Sequence, residues 1–345
     1  YTHDRSQGIL EALHQDHLFI IPLDGQRRWF RYHHLFQQML LTELNKRCST
    51  DEIAVLHLKA SSWYAQNGLL EEALHHALEA GNELAAAQLI EENARTLLDQ
   101  DQWHVLERWM ARLPDSVIRQ RPRLLIAKAW VGFYQFMIQS ISPLLELAGR
   151  ILSDDAATQP LWGEIDYFWG YHWYWQGQCT RSLDSLNRAL ERIPKAHHQA
   201  RGEAELWWGL ASQICGQKEE AVRRLNRWLN DEQTPHPGRQ TKLLGSLIFV
   251  YLLSAEFDDA ALHSRQLHEL GTKHNNRYIK AWSSYLQGLI HYYWNDLDGA
   301  TRHFDKAVSD RYVLHTAAAL ESLVGLALTY QALEQPDSVD ATVAL

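Results

Sequence analysis

The chain has 345 residues and a formal net charge of −9, with 33 Lys and Arg against 42 Asp and Glu and 19 histidines counted neutral. Charges of both signs are interspersed and no basic stripe is visible, so direct nucleic-acid contact by this segment is not expected. No signal peptide and no apolar run near about 18 residues is visible, which gives no support to secretion or to a membrane association. Cys48, Cys179 and Cys215 are scattered and form no CxxC pair, a usage that suits reduced thiols and a cytoplasmic location.

Residues 1–50 break the pattern of the rest. His17 to Leu23 and Arg28 to Tyr32 are short runs rich in β-formers, and Asp24-Gly25 between them is a tight-turn pair. A helix is predicted from His33, with Leu35, Phe36, Met39, Leu40 and Leu44 on one face. Helix, β-hairpin, helix is the closing part of a winged-helix module, and residues 1–50 are assigned to one.

Residues 51–115 read as irregular helical hairpins, with Gly68 in a turn and Ala73 at a close contact. From 116 to 345 a repeat takes over. Gly170, Gly209, Gly288 and Gly325, with Ile248 filling the gap, are spaced by 39, 39, 40 and 37 residues, and Ala129 marks a weaker copy before them. Twelve residues past the first four alignment positions come Ser182, Ala221, Ala260 and Ala300; four further on come Leu186, Leu225, Ser264 and Phe304. A helical period near about 40 with small and large residues at fixed offsets is the signature of stacked helical hairpins resembling tetratricopeptide repeats. The predicted fold is all-α, a right-handed superhelix of such hairpins preceded by the winged-helix-like segment. The chain starts at Tyr1 without Met and stops at Leu345, where the second helix of the last repeat begins, so a piece of a longer protein is expected.

The stretches "LFIIPLDGQRRWFRYHHLF", "WYAQNGLLEEALHHALEAGN" and "RPRLLIAKAW" follow one another in an order that resembles the MalT-like, ATP-dependent LuxR-family transcriptional activators of the STAND class. The resemblance implies a nucleotide-switch module ending in a winged helix, a superhelical sensor, and a terminal DNA-binding helix-turn-helix. It covers the middle of that plan only. This chain has no GxxxxGK[ST] phosphate loop, so ATP is implied for the parent protein and no cofactor for this segment. Self-association of the parent, and inhibitory or activating protein partners, come with the resemblance.

Chemistry of other kinds finds little footing. Histidine pairs such as His33-His34 and His75-His76 are neighbours, which on a helix point about 100° apart and do not share an ion; no HExxH or zinc spacing appears, and no metal is expected. No GxSxG elbow or activated cysteine supports catalysis, so the chain is not expected to be an enzyme. His33 and His34, with Arg31, sit at the wing–helix junction and are the candidates for coupling a switch. Fourteen tryptophans remain to be explained. Positions three before and one, four and five after the repeat alignment point are expected to face a concave groove. They hold Trp130, Phe133 and Tyr134; Tyr167, Tyr171, Tyr174 and Trp175; Phe249; and Tyr285, Tyr292 and Tyr293. Rings with polar tips suit a small-molecule inducer, while Trp207 or Trp208 is read as packing between helices. The alternative is an adaptor for a peptide or protein; only Arg123 and Lys242 supply basic inner positions, which disfavours a carboxylate clamp.

Overall fold

The computed structural model describes residues 3–16, 19–26, 29–231 and 236–345, with the backbone alone for 3–7. The expected strand residues His17 and Arg28, and the middle of the connection at 230–240, lie outside the described residues. The chain divides into two compact units, Tyr1–Leu89 and Ile90–Leu345.

In the first unit α1 (His3–Gln15) precedes a two-stranded antiparallel hairpin, β1 (Ile20–Pro22) and β2 (Phe30–Tyr32), in which Ile20 faces Tyr32 and Ile21 faces Arg31. Asp24 Oδ1 accepts from the Trp29 backbone N–H at 3.2 Å, which ties the turn together. Helix α2 (His34–Arg47) follows directly, and Ser49 then starts α3 (Thr50–Gln66) with a reciprocal capping box to Glu52. The apolar face expected of α2 is present but uncovered within this unit: Leu35 is 63% and Met39 52% exposed, and the helix buries no residue. Helix α4 (Leu70–Glu79) turns back on α3, and Ser61 Oγ donates to the Ala73 carbonyl at 2.8 Å across the seam. The close contact expected at Ala73 is therefore in place.

The second unit is a run of antiparallel helix pairs. Helix α5 (Glu83–Asp99) straddles the boundary and leads to α6 (Trp103–Met110) and the short α7 (Asp115–Ile118). The pairs that follow are α8 (Pro122–Tyr134) with α9 (Ile141–Ile151), α10 (Gln159–Trp175) with α11 (Cys179–Arg192), α12 (His198–Ile214) with α13 (Lys218–Leu229), α14 (Pro237–Leu253) with α15 (Phe257–Lys273), α16 (Arg277–Tyr293) with α17 (Leu297–Ser309), and α18 (Thr316–Ala332) with α19 (Pro336–Val343). The small and large repeat positions are what closes each pair. A Cβ on Gly170 would lie 2.5 Å from Leu186 Cγ, and one on Gly288 would lie 2.5 Å from Phe304 Cδ1. Only hydrogen fits there, so the helices approach closely enough to bury Leu186 and Phe304 completely. Each pair turns through a residue at positive φ: Gly177 at 70°, Gly216 at 75°, Ala255 at 57° and Asn295 at 61°.

Two readings of the sequence are corrected. The first helices end at Gln176, Cys215, Ser254 and Trp294, each six residues past its alignment position, and α18 ends at Leu333. The last alignment position is therefore Ala327, not Gly325. Gly325 sits two residues earlier, against Phe304 of the preceding pair, where its missing side chain is needed for a different contact. The second correction concerns Cys179 and Cys215. They are not scattered thiols: Cys179 opens α11, Cys215 caps α12, and the two form a disulfide with Cα atoms 5.6 Å apart. Cys48 is free.

Candidate functional site

The inner face of the second unit holds a hollow of 390 Å³, bounded by residues of α8, α10, α12, α14, α16 and α18. One residue past the alignment point, Tyr171, Leu210, Phe249 and Leu289 all line the hollow. Five residues past it, Trp175, Leu253 and Tyr293 do the same at the rim, Trp175 being 55% and Tyr293 58% exposed. Phe133, Tyr174 and Tyr285 line it as well.

Four expected residues lie elsewhere. Trp130 is wholly buried, stacked on Tyr167 at 4.9 Å, and its Nε1–H donates to Glu164 Oε2 at 2.5 Å. Tyr167 is wholly buried in the same stack. Tyr134 is buried beside Trp103 and accepts from Gln199 Nε2 at 3.0 Å. Tyr292 packs against the helix-pair core instead of the hollow. Tyr134 is covered by Trp103 of α6, while Trp130 and Tyr167 are closed off by each other and by Phe168. Trp207 is the reverse case. Outside the expected groove set, it lines the hollow, with its ring edge-on to Tyr171 at 4.6 Å and Tyr174 at 5.0 Å. Its buried Nε1–H has no hydrogen-bond partner among the described residues. Trp208, the next residue, does pack between helices, against Trp228 and Asn187.

A second periodicity, missed in the sequence, supplies the polar part of the site. Six residues before each alignment point stand Arg123, Glu164, Glu203, Lys242, Trp282 and, in the corrected register, Glu321. These form a ladder along the inner face, and its rungs interact. Glu164 takes an ion pair from Arg95 as well as the Trp130 bond. Glu203 and Lys242 are both buried and pair at 2.8 Å. The Lys242 ammonium also donates to Tyr278 Oη at 3.1 Å and lies 5.3 Å from the centre of the Trp282 ring. Burial opposes its charge, but Glu203, Tyr278, Tyr134 and Asp101 together outweigh that and hold its pKa well above the usual lysine value. Burial pushes Tyr278 up to about 12.

At the far end of the hollow, Glu321 is exposed and accepts from the Tyr285 hydroxyl. His315 caps α18, its Nδ1 accepting from the Ala318 N–H at 3.3 Å, which leaves the ring proton on Nε2. Enclosure, with Lys242 nearby, drives the His315 pKa down to about 3, so the ring is neutral at ordinary pH. In the first unit, His33 caps α2 and its backbone N–H donates to the Phe19 carbonyl at 2.6 Å; the His33 and His34 rings lie 4.3 Å apart, and Arg31 is exposed on β2. No group of three potential metal ligands occurs among the described residues, and no described helix is long and apolar enough to cross a membrane.

Hairpin repeats with a hollow on their inner face, following a winged-helix-like segment, define the class: a tetratricopeptide-like helical array. Comparison with known proteins agrees. Residues 1–53 match the family model described as the MalT winged helix domain. The chain is 29% identical over 254 residues to the HTH-type transcriptional regulator MalT of Vibrio parahaemolyticus, covering 72% of this chain and 27% of that protein. It is 36% identical over 229 residues to the serine/threonine-protein kinase PknK of Mycobacterium tuberculosis, covering 64% of this chain and 20% of that one. The chain thus spans about a fifth to a quarter of the length of the curated relatives it matches.

Among solved structures, a Signal Transduction ATPase with Numerous Domains (STAND) protein with a tetratricopeptide repeat sensor from Pyrococcus horikoshii superposes with a TM-score of 0.54 at 13% identity, over 91% of this chain and 48% of that one. A Rap protein complexed with competence and sporulation factor gives 0.51 at 12% identity, over 86% and 96%. The chain is similar to the winged-helix and repeat portion of MalT-like regulators, and these likenesses support a regulatory sensor segment.

Proposed function

We propose that this chain is the sensing segment of a cytoplasmic, ATP-dependent transcriptional activator, and that a small inducer occupies the hollow. The observation that carries the reading is the enclosure itself: 390 Å³ walled by rings from successive repeats, within the size range of small-molecule sites. The inducer shifts the parent between a resting and a self-associating arrangement through its difference in affinity for the two. ATP is handled by a module outside these residues, and Arg31, His33 and His34 at the wing–helix junction relay the shift to it. The MalT resemblance favours this reading, because those relatives are named as transcriptional regulators.

A thermal-shift screen of metabolites against the purified chain tests it. At least one compound is expected to raise the melting temperature, and Tyr174→Ala with Phe249→Ala is expected to abolish that rise while the protein still folds. A shift unchanged by both substitutions removes the hollow as the site. The second reading is an adaptor that binds a protein or peptide in the same face; the fold likeness to a Rap protein complexed with competence and sporulation factor favours it. Pulldown partners released by no metabolite, together with an empty screen, decide for the adaptor.

A further inference from the structure

The charges of the ladder do not cancel along its length. Glu164 is satisfied by Arg95, and Glu203 by Lys242. The next rung is Trp282, which is neutral, so the last one, Glu321, has no cation opposite it. Among the described residues Glu321 pairs with no Lys, Arg or His, and its one partner is the neutral Tyr285 hydroxyl. It lies on the wall of a hollow otherwise made largely of ring faces.

Resting on the reading of the hollow as a ligand site, we propose that Glu321 makes it selective for a ligand with a cationic nitrogen, an organic ammonium or guanidinium carried on an apolar body. Ring faces attract cations through their quadrupoles, and a carboxylate bordered by such faces favours the same charge. The opposing charges are occupied: Lys242 is committed to Glu203 and to the faces of Tyr278 and Trp282, so it neither repels an incoming cation nor offers itself to an anion. His315 is neutral and adds no positive charge. An anionic ligand meets an uncompensated carboxylate, and a neutral one leaves it without a counter-charge.

Three probes of one shape separate the outcomes: phenethylamine, phenethyl alcohol and phenylacetate, titrated against the purified chain by isothermal calorimetry and tryptophan fluorescence. The amine is expected to bind at least about tenfold tighter than the alcohol, one charge-assisted contact's worth, and phenylacetate more weakly than either. Glu321→Gln is expected to bring the amine down to the alcohol's affinity, and raised salt to narrow the gap in the unsubstituted protein. Equal affinities for amine and alcohol overturn the charge selectivity and leave the hollow as a ligand site. An amine preference that survives Glu321→Gln also overturns it. Failure of all three probes to bind, at concentrations up to their solubility, counts against both the selectivity and the site.

Discussion

The two ends of the inner face use the same repeat position in opposite ways. At Glu164 the rung is closed: Arg95 and Trp130 take its oxygens, and the stack of Trp130, Tyr167 and Phe168 fills what would be the groove. At Glu321 the rung is open, with a single phenol beside it and a hollow in front. Backbone geometry is common to both. What differs is what adjoins the rung: at one end α5 supplies the Arg95 counter-charge and rings of α8 and α10 fill the space, and at the other nothing described supplies a cation. A repeated slot is therefore core or site according to its neighbour, not according to its own residue type.

Breaking the closed half has the largest expected effect. Glu203→Ala strands the Lys242 ammonium in the interior, which costs about 3–5 kcal/mol, whereas Glu321→Ala at the open end costs within about 0.5 kcal/mol; urea denaturation midpoints of the two variants measure the contrast. Equal losses remove the distinction between closed and open rungs. Reducing the Cys179–Cys215 bond, which closes a loop of 36 residues between neighbouring pairs, is next. By loop-closure entropy it costs about 3–4 kcal/mol, and melting with and without a reductant, beside Cys179→Ser, reads it.

The smallest effect sharpens the open end through pH. His315 has a folded pKa of about 3 against 6.5 for the free side chain. Between those values the unfolded chain binds the extra proton, so stability rises with pH there and is lost as pH falls from about 6.5 towards 3. His303, lowered to about 4 by burial and the neighbouring His291, acts in the same direction. With the cavity-facing exposure of His315 discounted, its share at pH 5 is about 1 kcal/mol. His315→Asn, which keeps a capping acceptor, is expected to flatten the slope by that amount; an unchanged slope places the proton uptake on other groups.

Much of this was readable in advance, and the failures have physical causes. Repeat spacing located the helix pairs because close approach demands glycine or alanine opposite a large side chain, as Gly170 and Leu186 show. The same reliance on glycine misplaced the last repeat: Gly325 answers to Phe304 of the previous pair, and the helix end at Leu333 sets Ala327 as the true position. Only in the corrected register does Glu321 fall six residues before its alignment position and join the ladder. Tyr167 takes a groove offset yet is buried, and Trp207 takes none yet lines the hollow, because repeat offsets carry no information on which neighbours fill the inner face. The pairing of Cys179 with Cys215 was hidden for a related reason. Their separation of 36 residues matches one repeat less the turn, which brings a helix start beside the end of the next first helix, and only the stacking of pairs makes them neighbours.

The central claim is that the ring-walled hollow admits a ligand whose charge Glu321 reads. A crystal structure of the chain grown with saturating phenethylamine tests it most directly. The account predicts one molecule inside the hollow, its ring against Trp207 and Tyr174 and its nitrogen within hydrogen-bond reach of the Glu321 carboxylate. An empty hollow at saturation, or a molecule seated there with its nitrogen turned away from Glu321, contradicts it.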